Sequence, residues 1–270
     1  MSTSASTPAA FGGIDPATVS ARASSFGGQA AAYARERPGY PAAAVRWALE
    51  PVSGRAPLRV LDLGAGTGKL TEALVPLVRQ AGDASGIVAV EPDAAMLAEL
   101  RRALPEVRAL PGAAEEIPLP DASVDAVVVG QAMHWFDLDR ALPEIRRVLA
   151  PGGVLAGLWN LDDDRVPWVR GLKETAGSTV TFLNWRSPSA ELESRGAGGA
   201  EEAEFPHGQR RTAESMVATI ATHSLFLTLP ETERAGTLAR IRAYLDSTPE
   251  TAEGEFELPI VTVALRVLPG

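Results

Sequence analysis

The chain has 270 residues, of which 46% are hydrophobic and 22% charged, ample apolar material for one large α/β domain or a core with a lid. A formal net charge of −9 argues against a nucleic-acid groove or an anionic membrane surface, both of which reward clustered Lys and Arg, and favours a small-molecule partner. The absence of cysteine excludes disulfides, thiolate metal sites and a cysteine nucleophile, so no metal is expected. There is no secretory leader and no apolar run near about 20 residues, which predicts a cytoplasmic protein; oligomeric state is not readable.

Residues 1–24 are rich in Ser, Thr, Ala and Gly with little periodic apolar content, and are expected to form a flexible tail ahead of one domain over 25–270. After Phe26 a short helical run through Tyr33 leads to Arg37-Pro38-Gly39-Tyr40-Pro41. The helix must end before Pro38. A second helix is predicted over Ala42 to Leu49, making a cap of residues 25–50.

The apolar run Leu58 to Leu63 carries Asp62 near its end, followed by Gly64, Gly66 and Gly68 and a helix-forming stretch from Lys69 to Val78. That pattern predicts strand, tight turn and helix. Glycine permits positive φ and close ligand approach, and the helix N-terminus offers free N–H groups. A phosphate-cradling loop is excluded twice: Leu63 stands where its first glycine belongs and Leu70 where its magnesium-binding hydroxyl belongs. A dinucleotide fingerprint needs its third glycine one residue later. The pattern Asp62-x-Gly64-x-Gly66-x-Gly68 instead resembles motif I of the class I S-adenosylmethionine (SAM) methyltransferases. The resemblance implies a turn that faces the carboxypropyl end of SAM, with Asp62, Gly64, Ala65 and Gly66 binding the cofactor. An acid there suits a cationic cofactor and would repel a phosphate.

Gly86 to Val90 reads as a short buried strand ending in Glu91-Pro92. Ligands bind at the carboxyl edge of an open parallel sheet, and an acid about 25 residues past the glycine turn can accept both ribose hydroxyls. Pro92 opens a helix in which Met96 lays its thioether against an adenine or fills the core. A third strand, Val107 to Leu110, leads to Ala113 and Ala114. The resembling family often has an acid, Ser or Thr at the Ala113 position, so only backbone groups of Ala113 and Ala114 are left to recognise the adenine edge. Glu115 and Glu116 read as solvated charges at a helix start.

Asp121 to Gly130 is a turn and an almost wholly apolar fourth strand, as an interior parallel strand should be. Gln131-Ala132-Met133-His134-Trp135-Phe136 follows at the ligand-binding edge, then a helix from Ala141 to Leu149, Pro151-Gly152-Gly153 and a fifth strand, Val154 to Trp159. This arrangement resembles a small-molecule subgroup that includes trans-aconitate methyltransferase-like proteins. The resemblance implies cofactor contacts from Gln131 and, in the cap, from Tyr33 and Arg37. His134 is the candidate catalytic base. A base is needed only for an alcohol, phenol, protonated amine or carbon acid; the alternative is a residue that orders the loop or contacts cofactor.

From about 161 to 254 the pattern becomes irregular, with Trp168, Phe182, Trp185, His207, His223 and Phe226 and helices expected around Trp168 to Phe182, Ala213 to His223 and Glu231 to Asp246. This stretch is expected to be an acceptor lid, with a strand near Ala203 to Arg210 and an arginine pair, Arg210 and Arg211, that could clamp an acidic acceptor. A terminal strand over 255–268 returns to the core. The expectation is thus a Rossmann-like, doubly wound, mostly parallel α/β sheet of about seven strands with an N-terminal helical cap and an inserted helical lid. It would transfer a methyl group from SAM to a small-molecule O, N or C acceptor, in the manner of secondary metabolism. Two alternatives stay open: a SAM-binding enzyme of this fold with a non-methylating reaction such as cyclisation, and a non-catalytic binding protein on the same scaffold.

Overall fold

A computed structural model of the chain describes residues 37–80, 84–178, 182–221 and 230–268. The expected N-terminal tail, Tyr33 of the cap, and His223 and Phe226 of the lid lie outside the described residues.

β1 (Val60–Leu63) is buried along its whole length, the pattern of a central strand covered on both faces. It pairs in parallel with β2 (Ile87–Glu91) and β4 (Val124–Gly130); β3 (Arg108–Pro111) adds in parallel beyond β2, and β5 (Leu149–Asp162) beyond β4. β7 (Glu255–Val267) joins β5 antiparallel, and β6 (Ala200–Thr212) pairs antiparallel with β7. The seven-stranded order is β3-β2-β1-β4-β5-β7-β6. This is the doubly wound, mostly parallel sheet that the sequence predicts, and its chain order reverses between β1 and β4, where such sheets bind ligands.

Alternation along the strands divides the core. Val60, Val128 and Leu158 face α1 (Ala42–Leu49) and α2 (Lys69–Gln80), whereas Leu61, Val127 and Leu155 face α4 (Leu138–Val148), as a period of two requires. α3 (Ala94–Ala103) starts at Asp93, whose side chain accepts from the N–H groups of Ala95 and Met96, an N-cap that anchors the helix after β2.

The lid is carried by the sheet itself. β5 makes its last pair at Asp162 and Ile260, yet β6 and β7 continue together as far as Thr212 and Glu255. The result is a two-stranded ribbon that outruns the carboxyl edge. On it pack α5 (Pro167–Ala176), α7 (Ala213–Ala221) and α8 (Glu231–Ser247), with Trp168, Leu172, Met216, Ile241, Phe256 and Leu258 forming a separate apolar core. α5 is shorter than its sequence suggests, because Gly177 ends it in a left-handed C-cap with φ 67°. A short α6 (Ser189–Ser194) sets Leu192 against the core on the α4 side. β6 is longer than the strand read near Ala203 to Arg210. Its many charged residues blur the apolar alternation, as befits an edge strand. Among the described residues no helix is long and apolar enough to cross a membrane.

Candidate active site

The turn after β1 is held by its own backbone. Gly64 and Ala65 both donate to the Val90 carbonyl (2.9 and 3.1 Å), and Gly68 donates to the Ala65 carbonyl at 2.9 Å. Gly64 has φ +71°, and a Cβ there would lie 2.7 Å from that of Ala132; the protein's own packing demands glycine. Gly66 differs. Its φ is +57°, but the nearest atom to an added Cβ is Met96 Sδ at 3.9 Å, so its missing side chain leaves open space beside the turn.

Two buried carboxylates lie at the turn. Asp62 is fully buried; Thr71 Oγ1 donates to its Oδ2 at 2.6 Å, and Oδ1 has no hydrogen-bonding partner among the described residues. Glu91 accepts from the N–H groups of Gly66 and Asp93, each at 2.8 Å. Neither acid is paired with Lys or Arg among the described residues. Burial pushes the Asp62 pKa up to about 7, opposed by the Thr71 hydrogen bond and reinforced by the Glu91 charge. Burial also raises Glu91, against the N–H groups of Asp93 and Gly66. Two buried acids without a cation form a site that a positive ligand stabilises. Thr67 Oγ1, buried and likewise unpartnered among the described residues, adds a polar atom at the turn that the sequence did not single out. The orphaned Asp62 oxygen, the gap at Gly66 and the unpaired charge all fit SAM, whose sulfonium and amino groups are cationic.

Met96 is buried beside Gly66, and Pro92 is exposed. Ala113 and Ala114 follow β3, whose Pro111 is paired with Glu91; Ala114 is buried and Ala113 half-buried. Glu115 is not a helix-start charge. Its carboxylate accepts from the Asp137 N–H at 2.8 Å, tying the loop after β3 to the start of α4.

The loop after β4 begins at Gln131 with φ +58°. Its N–H donates to the Leu158 carbonyl at 3.0 Å and its side-chain amide to the Asn160 carbonyl at 2.8 Å, so that amide group holds β5. His134 lies on a 3₁₀ turn, Met133–Trp135, with its ring 4.7 Å from that of Trp135. Burial lowers its pKa to about 4, which leaves the imidazole neutral at physiological pH.

The described part of the cap reaches this edge. Arg37 begins it, half-buried, and the Tyr40 phenol lies over Gly130, where an added Cβ would approach its oxygen to 2.7 Å. Asn160 at the end of β5 donates to the carbonyls of Gly39 (3.0 Å) and Pro38 (3.4 Å). No motif pointed to Asn160; its only signal is an amide that ends an apolar strand. Further along the sheet, Phe182, Trp185, Ser187, Glu202, Glu204 and Val263 are among the residues lining a cavity of about 570 Å³. Trp185 packs against Trp159 with ring centroids 5.5 Å apart. The arginine pair does not line it: Arg211 is buried and donates to Thr219 Oγ1 at 2.9 Å, and Arg210 is exposed beside Glu255 at 3.5 Å.

Comparison with known proteins agrees with this geometry. The profile of the "Methyltransferase domain" family matches residues 61–157, from within β1 to within β5. A methyltransferase of Mycobacterium tuberculosis is 43% identical over 243 residues, covering 90% of this chain and 94% of the relative. A methyltransferase-like protein of Schizosaccharomyces pombe is 34% identical over 224 residues, covering 81% and 83%. A malonyl-[acyl-carrier protein] O-methyltransferase of Methylococcus capsulatus is 37% identical over 153 residues, 53% of each chain. Among solved structures, a type II methyltransferase from Anaeromyxobacter dehalogenans superposes with a TM-score of 0.59 at 27% identity, covering 87% of this chain and 99% of the other. With the acid-glycine turn, the seven-stranded order and full-length relatives all in agreement, the chain belongs to the class I SAM-dependent methyltransferases.

Proposed function

We propose that this protein binds SAM across the carboxyl edge of β1, β2 and β4 and transfers its methyl group to a small organic acceptor. The observation that carries the reading is the pair of buried carboxylates at the glycine turn, Asp62 and Glu91, neither paired with Lys or Arg among the described residues, with Glu91 bonded to Gly66 beside its open space. Asp62 and the turn Gly64-Ala65-Gly66 hold the charged methionine end, and Glu91 the ribose. Pro92 and Met96, with the backbone of Ala113 and Ala114, border the adenine. When bound, SAM supplies an activated, electrophilic methyl group, so the protein's share is to position the acceptor and exclude water.

His134 is the candidate for the acceptor side. A neutral imidazole with pKa near 4 is a weak base, because proton transfer is most effective when the catalytic pKa lies near the operating pH. It accepts a hydrogen bond from the acceptor and aims it. An O or N acceptor attacks through its lone pair and a C acceptor through an electron-rich double bond, S-adenosylhomocysteine leaves, and the proton shed by the methylated product passes to solvent rather than to this residue. Arg37 in the cap and Gln131 in the β4 loop border the cofactor; Tyr33, which lies outside the described residues, joins them on the family resemblance alone.

Calorimetric titration with SAM, S-adenosylhomocysteine and NAD tests the reading. Binding of the first two and not the third is the expected result; a folded protein that binds neither adenosyl compound overturns it.

A further inference from the structure

The segment Pro38-Gly39, the loop after β4 and the root of the lid ribbon meet at one residue, Asn160. Its side chain donates through Nδ2 to the Gly39 and Pro38 carbonyls, and its backbone carbonyl accepts from Gln131. Its Oδ1 accepts from Thr262 Oγ1 at 2.5 Å and lies 3.4 Å from His207 Nε2. Thr262 pairs directly with Asn160 across β5 and β7, and His207 sits on β6 two residues beyond Phe205, the partner of Thr262.

The chemistry fixes every direction in this chain. The Thr262 hydroxyl gives its one proton to Asn160 Oδ1, so its oxygen accepts from His207 Nε2 at 2.9 Å, and the ring carries its proton on Nε2. The amide is thereby oriented: with Oδ1 turned to Thr262, Nδ2 must face the cap carbonyls. Thr262 is fully buried, so the centre of the arrangement is shielded from competing water, while Asn160 and His207 are half-buried. Only an amide can accept on one side and donate on the other here; a carboxylate would set negative oxygens against two carbonyls.

We propose that His207, Thr262 and Asn160 form a latch that docks the cap segment on the sheet edge at the root of the lid, and that the latch governs how firmly the cofactor site closes. The second half rests on the SAM-binding reading above; the first does not. These are positioning residues, acting through Pro38-Gly39 and Gln131.

The test uses the full-length chain, with Asn160→Asp, Thr262→Val and Thr262→Ser, each confirmed as folded by circular dichroism at the assay temperature. Hydrogen exchange across residues 39–45, where the Ala44 and Val45 amides bond to the Pro41 carbonyl, reports docking of the cap. Calorimetry with SAM reports closure. Asn160→Asp and Thr262→Val are expected to speed exchange in that segment and to weaken SAM binding about five- to tenfold, the loss of one net hydrogen bond. Thr262→Ser, which keeps the hydroxyl, restores both. Unchanged exchange in Asn160→Asp and Thr262→Val overturns the latch. Faster exchange with unchanged SAM affinity overturns its role in closure. A wild-type chain that binds no SAM defeats the proposed function, while the exchange result still decides the latch.

Discussion

Glu91 grips the glycine turn: its Oε2 accepts the Gly66 N–H at 2.8 Å while Oε1 accepts that of Asp93 at 2.8 Å. One carboxylate therefore shapes the turn that it is also expected to serve in binding the ribose. Glu91→Ala should weaken SAM binding by about 1.5–3 kcal/mol, the range for a hydrogen bond to a charged group, and lower the melting temperature as well. Glu91→Gln keeps the size but turns an N–H₂ group towards one of two backbone donors. Calorimetry should show it nearer to Ala than to wild type; wild-type affinity would remove the carboxylate from both tasks.

SAM affinity should depend on pH through Asp62. With its pKa raised to about 7, the empty protein carries about half a proton there at pH 7. A cation bound nearby favours the carboxylate, so binding releases that proton and tightens as pH rises from about 6 to 7.5. Stability runs the other way. The raised pKa contributes stability that is fully present below the unfolded value near about 3.9 and is lost as pH climbs through 7. Titrations in buffers of different ionisation enthalpy should reveal proton release in the wild type and none in Asp62→Asn.

Gly64→Ala and Gly66→Ala separate folding from binding. The first drives a Cβ to within 2.7 Å of Ala132 and should destabilise the protein by several kcal/mol, beyond the roughly 1–2 kcal/mol of a left-handed backbone. The second has free space around it and should cost only about that backbone term. Its methyl group would nevertheless occupy the ligand's approach, so SAM binding should fail in a folded protein.

His134→Ala should slow single-turnover transfer at saturating acceptor, since a positioning contact is lost. Because burial has lowered its pKa to about 4, the wild-type rate should show no ionisation near 6.5 that disappears in the variant. A limb near neutral pH that vanishes with His134 would restore it as a general base.

Asp125 supplies a control remote from the site. It begins the second residue of β4, at the opposite edge from Gly130, and meets Arg55 Nη1 at 2.6 Å and Arg59 Nη2 at 2.7 Å. Burial alone would raise its pKa, but the two guanidinium groups outweigh it and hold the carboxyl below its ordinary value. Its stability contribution is present above the unfolded pKa near about 3.9 and fades as pH falls below that. Asp125→Ala should cost about 1–2 kcal/mol, since charge-assisted hydrogen bonds are lost while both partly exposed arginines are left to water. Chemical denaturation should show the loss, with SAM affinity unchanged.

The cofactor half was legible because its signals are local. Asp62 and the three glycines lie within seven residues, and Glu91 ends the next strand, so strand-turn-helix reasoning reached them; Thr71, which bonds Asp62 from the following helix, carried no signal of its own. The other contacts are long-range. Asn160 and Pro38, at the cap, are separated by 122 positions, and Arg55 and Asp125, at the opposite edge, by 70; each pair joins a strand to a segment outside the sheet, a proximity that no short motif encodes. Glu115 was misread for the same reason: its partner, Asp137, stands 22 positions away. β6 was visible only as a fragment because an edge strand has one paired neighbour and needs little apolar alternation.

The ribbon of β6 and β7 beyond Asp162 and Ile260 has an evolutionary corollary. The helices that ride on it share an apolar core of their own, apart from the two cores that flank the cofactor strands. Descendants of such a chain could exchange the whole outgrowth, or lengthen and retwist it, and so recruit new acceptors while the methyl-donor machinery is inherited unaltered.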